Sequence, residues 1–416
     1  MRTTSLYRLS AVVAVGALTL AGCGSRGGSP AAGSSTGGGG GTVVEIGVDA
    51  PLTGSLAALG LGIQNSSDLA VKTANKTNEV PGVTFKLVAK DDQASPTIGQ
   101  QNATALVADS SVVGVVGPLN SSVAQSMQKV FDDANVTEVS PANTNPSLTQ
   151  GPNWQTAKAR PYKSYFRVVT TDAIQGPFAA DYVYNDLHIT KVATVNDGKT
   201  YGAGLAMTFT DEFKKLGGTV TVAQTISDTS TDYSAVVNAV KNSGAQLLYY
   251  GGEYPQGGPL SKQLKAAGAN IPVMGGDGMQ DPTYIKLAGA ASNGDYATVP
   301  GAPISTLASA KTFISDYTAG GYSSPYSVYG GYSYDATWSL IEAVKSVVSA
   351  NGGKVPSSSA DFRQKVETAM ASVAFDGVTG HVSFDQYGDT GNKQLTMYKV
   401  EAGAWDNGIK VGTFNG

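Results

Sequence analysis

Short apolar runs constrain this chain more than any other feature. They are Val43–Val48, Val112–Val116, Val192–Val195, Gln246–Tyr250 and Ile271–Met274, and each is followed by Gly, Asp or Asn. Runs that are apolar on both faces suit parallel strands covered by helices on both sides. Helical spacing lies between them: Ile98, Ala105 and Leu106 in 97–109; Val123, Met127, Val130 and Phe131 in 122–134; Phe209, Phe213 and Leu216 in 203–217; Val236, Val237 and Val240 in 233–242. This alternation predicts an α/β fold with parallel sheets. The pattern runs from 43 to about 168 and again from about 170 to 298, so two lobes of similar size are expected. A helix-like segment Asp335–Ala350 and a strand-like Gln394–Val400 follow. We expect 43–168 plus 301–381 in one lobe and 169–300 plus 382–416 in the other. Crossovers are expected near Arg167–Thr171, Ala297–Pro300 and Val382–Gln386.

Composition removes several function classes. The formal charge is −4 and no long Lys/Arg run occurs, which argues against nucleic acid as a partner. One cysteine and two histidines in 416 residues exclude a Cys/His metal cage and an internal disulfide. Residues 1–22 read as an export signal: Arg2 and Arg8 precede the apolar stretch Leu9–Leu20, which is shorter than the ~20 residues a membrane span needs. Leu20-Ala21-Gly22-Cys23 resembles a bacterial lipobox, so Cys23 is expected to be lipidated and to hold the protein at the extracytoplasmic face of the cell membrane. Residues 24–42 are almost entirely small and polar, a composition suited to a flexible tether. Within it, Gly33-Ser34-Ser35-Thr36-Gly37 fits G-x-S-x-G but lacks the strand and helix a nucleophile elbow requires.

Polar, glycine-rich clusters stand where the strands end. They include Pro51-Leu52-Thr53-Gly54, Asp91-Asp92, Gly117–Ser122, Ser140–Pro146, Asn196–Gly202, Gly251–Pro255 and Gly275–Gly278. Open α/β sheets bind ligands outside the carboxyl ends of their strands, so two such lobes would form a cleft. Enzyme motifs are incomplete. Gly198-Lys199-Thr200 lacks the phosphate-loop glycine, because position 193 is Ala. Gly202-Ala203-Gly204 lacks the third glycine of a dinucleotide turn, because position 207 is Met. His188 and His381 stand apart, and the adjacent side chains of Asp91 and Asp92 diverge on an extended chain. We therefore expect no enzyme activity and no cofactor.

These clusters, with Asp172, Gln175-Gly176-Pro177, Tyr249-Tyr250 and Tyr334-Asp335-Ala336, make the chain resemble the branched-chain amino acid type of periplasmic binding protein (type I), the ligand-capturing component of an ABC importer, from about Val44 to Tyr398. The resemblance implies two Rossmann-like lobes with parallel sheets joined by a multi-segment hinge. It implies that Ser121 and Thr144 hold an amino acid's α-carboxylate, with Ala142 and Ser122 lending backbone groups. Asp277 would hold the α-ammonium, Tyr201 would close from the second lobe, and Tyr329 would lie beside the ligand side chain. Physically, Ser121 opens an expected helix, where free N–H groups and the helix dipole favour an anion.

The sequence departs from the pattern at Leu59, where close relatives carry an aromatic, and at Glu253, where they often carry Tyr. The relatives' disulfide is absent, its positions matching Ala94 and Asn120, and the segment Gln150–Lys163 is longer than usual. A second carboxylate in the cleft needs a partner. Glu253 is thus expected either to meet a polar or cationic ligand side chain or to face a lysine of its own lobe. The expected function is capture of one small amino acid by a monomer that delivers it to permease subunits; the alternative is a sensor of another small molecule, an amide or small carboxylate, without transport.

Overall fold

The computed structural model describes residues 41–414. The expected export signal, Cys23 and the Gly/Ser-rich segment up to residue 40 lie outside the described residues. Thr42–Ala50 (β1), Val83–Asp91 (β2), Val112–Val116 (β3), Thr137–Ser140 (β4) and Tyr165–Arg167 (β5) form a parallel sheet in the order β2-β1-β3-β4-β5. Every residue of β3 is buried, as its unbroken apolar run requires. Ala57–Thr77 (α1), Pro96–Ala108 (α2), Ser121–Asp133 (α3) and the short Ser147–Gln150 (α4) connect these strands. On one face, Leu106 of α2 and Met127 and Phe131 of α3 pack with Val112 and Val115.

The second half repeats the design. Asp172–Asp181 (α5), Lys191–Asn196 (β6), Thr200–Lys215 (α6), Thr219–Thr225 (β7), Ser234–Asn242 (α7), Leu247–Gly251 (β8), Tyr254–Ala266 (α8), Val273–Gly275 (β9), Pro282–Ala288 (α9) and Tyr296–Pro300 (β10) follow in turn. Their strands are parallel in the order β7-β6-β8-β9-β10, the same permutation as in the first sheet. The strand order therefore reverses at β1/β3 in one lobe and at β6/β8 in the other. Loops at such switch points are where doubly wound sheets take ligands.

The last third serves both lobes. Lys311–Ala319 (α10), Gly330–Ala350 (α11) and Ser359–Met370 (α12) return to the first lobe, where α11 packs on α1, β3 and β4. Ala374–Gly377 (β11) and Gly380–Ser383 (β12) form a small hairpin beside α11. Gln394–Glu401 (β13) joins the second sheet antiparallel to β10, and Ala404–Trp405 (β14) and Lys410–Thr413 (β15) pair with β13. No described helix is long and apolar enough to cross a membrane.

Several bounds differ from the sequence reading. β9 begins at Val273 because Pro272 has no N–H to give a ladder. α6 and α11 start at Thr200 and Gly330, upstream of expectation, because tight packing outweighs the low helix propensity of their glycines. A Cβ on Gly331, for example, would lie 2.5 Å from Ile304 Cδ1. The segment Ala297–Pro300 is strand throughout, paired with β13, so the chain leaves the second sheet only after Pro300. Helix α1 carried no sequence expectation, since its buried stripe mixes Gly60, Gly62, Ser66 and Ser67 with Leu59 and Ile63. At Gly117, φ is +124° and a Cβ would come within 2.1 Å of the Asp49 carbonyl oxygen. Only glycine lets the loop after β3 run that close to β1.

Candidate functional site

The two switch points border one narrow cavity, which in the closed protein leaves about 10 Å³ open to the centre of a water-sized sphere. That is room for about one water. The first lobe contributes Leu59, Leu119, Asn120, Ser121, Ala142 and Tyr329, and the second contributes Tyr201, Glu253, Asp277 and Gly278.

One corner is built to receive an anion. Asn120 occupies the N-cap position of α3 without a side-chain cap, and Ser121 is the first helical residue rather than the cap. The first N–H groups of a helix have no partner within it. The hydroxyls of Ser121 and Thr144 are buried and hydrogen-bond to no described residue. Ala142 is held in place through its N–H, which donates to Ser140 Oγ at 3.2 Å; the N–H of Asn143 donates to the same hydroxyl at 2.9 Å. Arg167 fixes the rest of this loop, its Nη1 donating to the carbonyls of Asn143 and Asn145, both at 2.9 Å. Thr144 and Ser122 adjoin this corner in sequence but do not line the cavity; Thr144 is buried and Ser122 half-buried.

The opposite corner is acidic. Asp277 follows β9 and is buried. Its Oδ1 accepts from Gln175 Nε2 at 2.8 Å and the Tyr201 hydroxyl at 2.9 Å, and its Oδ2 accepts from the Tyr329 hydroxyl at 2.7 Å. Burial pushes this carboxyl up, and those three hydrogen bonds pull against it. Tyr329 precedes α11 in the first lobe, so its bond to Asp277 crosses the cleft. The expected aromatic neighbour of a ligand side chain thus uses its polar end on the acid. Asp172 lies nearby with both carboxylate oxygens buried and without a well-formed hydrogen bond; burial, then the charge of Asp277, pushes it well above the usual carboxylate range, against the opposing pull of the Thr144 hydroxyl and Arg167.

A third wall joins the lobes. Asn120 Nδ2 donates to Glu253 Oε1. Glu253 Oε2 faces Lys199 Nζ at 3.6 Å, and Lys199 also faces Asp228 at 3.5 Å. Burial pushes the Glu253 carboxyl up, while Lys199 and Asn120 oppose it. Glu253 therefore lines the cavity while facing a lysine of its own lobe. Further contacts cross the cleft: Asn145 Nδ2 to the Thr200 carbonyl at 2.7 Å, Thr200 Oγ1 to Gln125 Oε1 at 2.8 Å, and the Tyr254 hydroxyl to the Ser55 carbonyl at 2.5 Å. The lobes are closed on each other.

The cavity thus gathers Leu59, Ser121, Ala142, Tyr201, Glu253, Asp277 and Tyr329. Sequence reasoning gave no site role to Leu119, Asn120 or Gly278. Asn120 stood in the Gly117–Ser122 cluster and as half of an absent disulfide, although adjacency to Ser121 was the available signal for a role of its own. Gln175 stood in a quoted motif without a role, and Lys199 in a rejected phosphate-loop fragment. Among the described residues, no group of three His, Cys, Asp or Glu side chains could hold a metal ion.

A family model described as periplasmic binding protein matches residues 43–404. The Leu/Ile/Val-binding protein homolog 1 of Brucella melitensis is 30% identical over 362 residues, covering 87% of this chain and 91% of that protein. Among solved structures, the branched-chain amino acid transporter substrate-binding protein LivJ of Streptococcus pneumoniae, in complex with isoleucine, superposes with a TM-score of 0.76 at 25% identity, covering 90% of this chain and 99% of that one. A solute-binding protein of an ABC transporter from R. palustris, in complex with benzoate, superposes with a TM-score of 0.75 at 20% identity, covering 89% and 96%.

Proposed function

Because the chain belongs to the periplasmic binding protein family, we propose that it is a lipid-anchored extracytoplasmic protein that captures an amino acid between its lobes and delivers it to an ABC importer. Family and fold are those of solute-binding proteins rather than enzymes. The observation that carries the reading is one small cavity with an unpartnered serine hydroxyl at a helix N-terminus and a buried carboxylate from the other lobe. The α-carboxylate accepts from the hydroxyls of Ser121 and Thr144 and from the main-chain N–H of Ser122, against Ala142, whose own N–H is held by Ser140. The α-ammonium donates to Asp277, beside the hydroxyls of Tyr201 and Tyr329. Leu59 borders the side chain. Closure about the three crossovers excludes water and strengthens these charged contacts. The loaded, closed monomer then fits the permease subunits, and lipid on Cys23 keeps it near them. No cofactor takes part.

One observation favours a second reading. Asp277 already accepts three hydrogen bonds within the protein, so it is satisfied without an ammonium. A small carboxylate, as benzoate is for the R. palustris protein, could use the Ser121 corner alone, in a sensor rather than an importer component. A thermal-shift panel on protein stripped of copurified ligand separates the two. Ligand at ~1,000 times its Kd adds ~4 kcal/mol of stability. Amino acids should raise Tm, and 4-methylpentanoate, which is leucine without its amine, should not. Equal shifts from benzoate or 4-methylpentanoate would favour the second reading.

A further inference from the structure

The wall formed by Asn120 and Glu253 has chemistry that the zwitterion clamp does not use. Both residues line the cavity, at 3% and 5% exposure. They stand 133 residues apart, on the loops after β3 and β8, and the hydrogen bond from Asn120 Nδ2 to Glu253 Oε1 joins one lobe to the other. That bond uses one of the two N–H donors of Asn120. Two acceptors are left buried without a hydrogen bond: Asn120 Oδ1 and Glu253 Oε2. Of the hydroxyls lining the cavity, that of Ser121 is free and is assigned to the α-carboxylate in the amino acid reading. The hydroxyl of Tyr329 is spent on Asp277, as is that of Tyr201. Lys199 Nζ stands 3.6 Å from Glu253 Oε2, an ion pair just beyond hydrogen-bond length, and is shared with Asp228 at 3.5 Å.

We propose that Asn120 and Glu253 form a side-chain selector for neutral amino acids that carry a hydrogen-bond donor, a hydroxyl or a primary amide. The assignment rests on the amino acid reading of the same cavity. Buried acceptors left unmatched by an apolar ligand keep their desolvation cost, so they discriminate against shape-matched hydrocarbons. Charge separates the remaining candidates. Lys199, shared between Glu253 and Asp228, already faces Glu253 Oε2, and a second cation placed there would meet its like charge at close range. A neutral donor satisfies the acceptors without that repulsion. Leu59 and Leu119 cover the aliphatic stem of such a ligand. Because the two acceptors come from opposite lobes, the selector exists only when the lobes close. A matching side chain therefore favours the closed form directly.

The test uses shape-matched pairs on ligand-stripped protein: threonine against valine and asparagine against leucine, with lysine as the cationic arm, by calorimetry. Threonine and asparagine should bind at least about tenfold more tightly than their partners, and lysine more weakly than asparagine. In Glu253→Gln, and separately in Asn120→Leu, the two ratios should shrink to about threefold or less, with alanine measured alongside so that any loss common to all ligands is separated from the change in the ratios. Melting curves of the ligand-free variants establish that each is folded; if Asn120→Leu is not, Glu253→Gln alone decides. Valine and leucine binding as well as or better than their partners would overturn the selector while leaving the clamp intact. Ratios unchanged in the folded variants would also overturn it. If none of the five binds, or if 4-methylpentanoate matches leucine, the amino acid reading itself fails and the selector falls with it.

Discussion

Arg167 Nε donates to Asp389 Oδ1 at 2.6 Å, and neither side chain is exposed. The pair ties the end of the first sheet to the last crossover of the chain. Asp389 also accepts from Thr149 Oγ1 at 2.8 Å and Gln150 Nε2 at 2.6 Å, while Arg167 holds the Asn143–Asn145 loop. Burial alone would push the Asp389 carboxyl up, but Arg167 and these donors hold it below the usual carboxylate range. The anion corner of the cavity is therefore set by an ion pair outside it.

Removing one partner should be costly. Asp389→Ala leaves a buried guanidinium without its counter-charge, and chemical denaturation should find a loss of about 3–5 kcal/mol. The double replacement Arg167→Met with Asp389→Leu should recover part of that loss. A single variant as stable as the parent would show that the pair is solvated.

Ser121→Ala should separate binding from stability. The hydroxyl has no partner among the described residues, so the Tm of the ligand-free variant should stay within a degree or so of the parent or rise. Affinity for an amino acid should fall by about 1.5–3 kcal/mol, the range for a hydrogen bond to a charged group. A Tm loss of several degrees with intact affinity would make Ser121 a structural residue.

Asp277→Ala should abolish most amino acid affinity, by about 2–5 kcal/mol in calorimetry, since a buried ammonium would lose its carboxylate. The same variant should bind benzoate no worse than the parent. A Kd for amino acids within about threefold of the parent would remove Asp277 from the ligand contacts.

Stability should increase as pH falls from 8 to 5. Burial, with Glu253 nearby, raises Asp197 to about 7; burial raises Asp92 to about 6 and Asp335 to about 6. Each folded-state value exceeds the unfolded one, so between the two the folded chain binds more protons and is favoured by acid. That advantage disappears as pH rises through 6 to 7. Tm measured across this range should drop toward alkaline pH, and Asp197→Asn should flatten the upper part of the curve. A flat or rising profile for the parent would mean that these carboxyls are hydrated.

Cys23→Ser should release the protein from the cell membrane into the soluble extracytoplasmic fraction. Equal retention of the variant after fractionation would exclude the lipid anchor.

Local pattern carried much of the architecture. The buried runs Val112–Val116 and Val192–Val195 lie within β3 and β6, and the spacing of Val123, Met127 and Phe131 marks the buried face of α3. These are legible because side-chain period follows from backbone geometry over a few residues. Loop residues such as Ser121 and Asp277 could be proposed because strands and helices alternate and ligands gather at strand ends. Helix α1 stayed hidden because its buried stripe is lined with glycine and serine, which pack as well as alanine but carry no hydrophobic signal.

Partners across the cleft belong to the tertiary structure. Tyr329 reaches Asp277 over 52 residues, and Asn120 reaches Glu253 over 133. No spacing rule connects them, since each pair depends on how two separately folded sheets close on one another. The same closure decides which polar atoms are left without a partner, and those atoms determine what the cavity can bind. The sequence by itself determined the strands with unbroken apolar runs, their alternation with helices and the loops at their ends, because those follow from local periodicity and chain direction. Only the tertiary structure decided that Asp277 is already held by Tyr329, that Glu253 is balanced by Lys199, and that two acceptors on Asn120 and Glu253 remain open, because burial and pairing are properties of the closed packing.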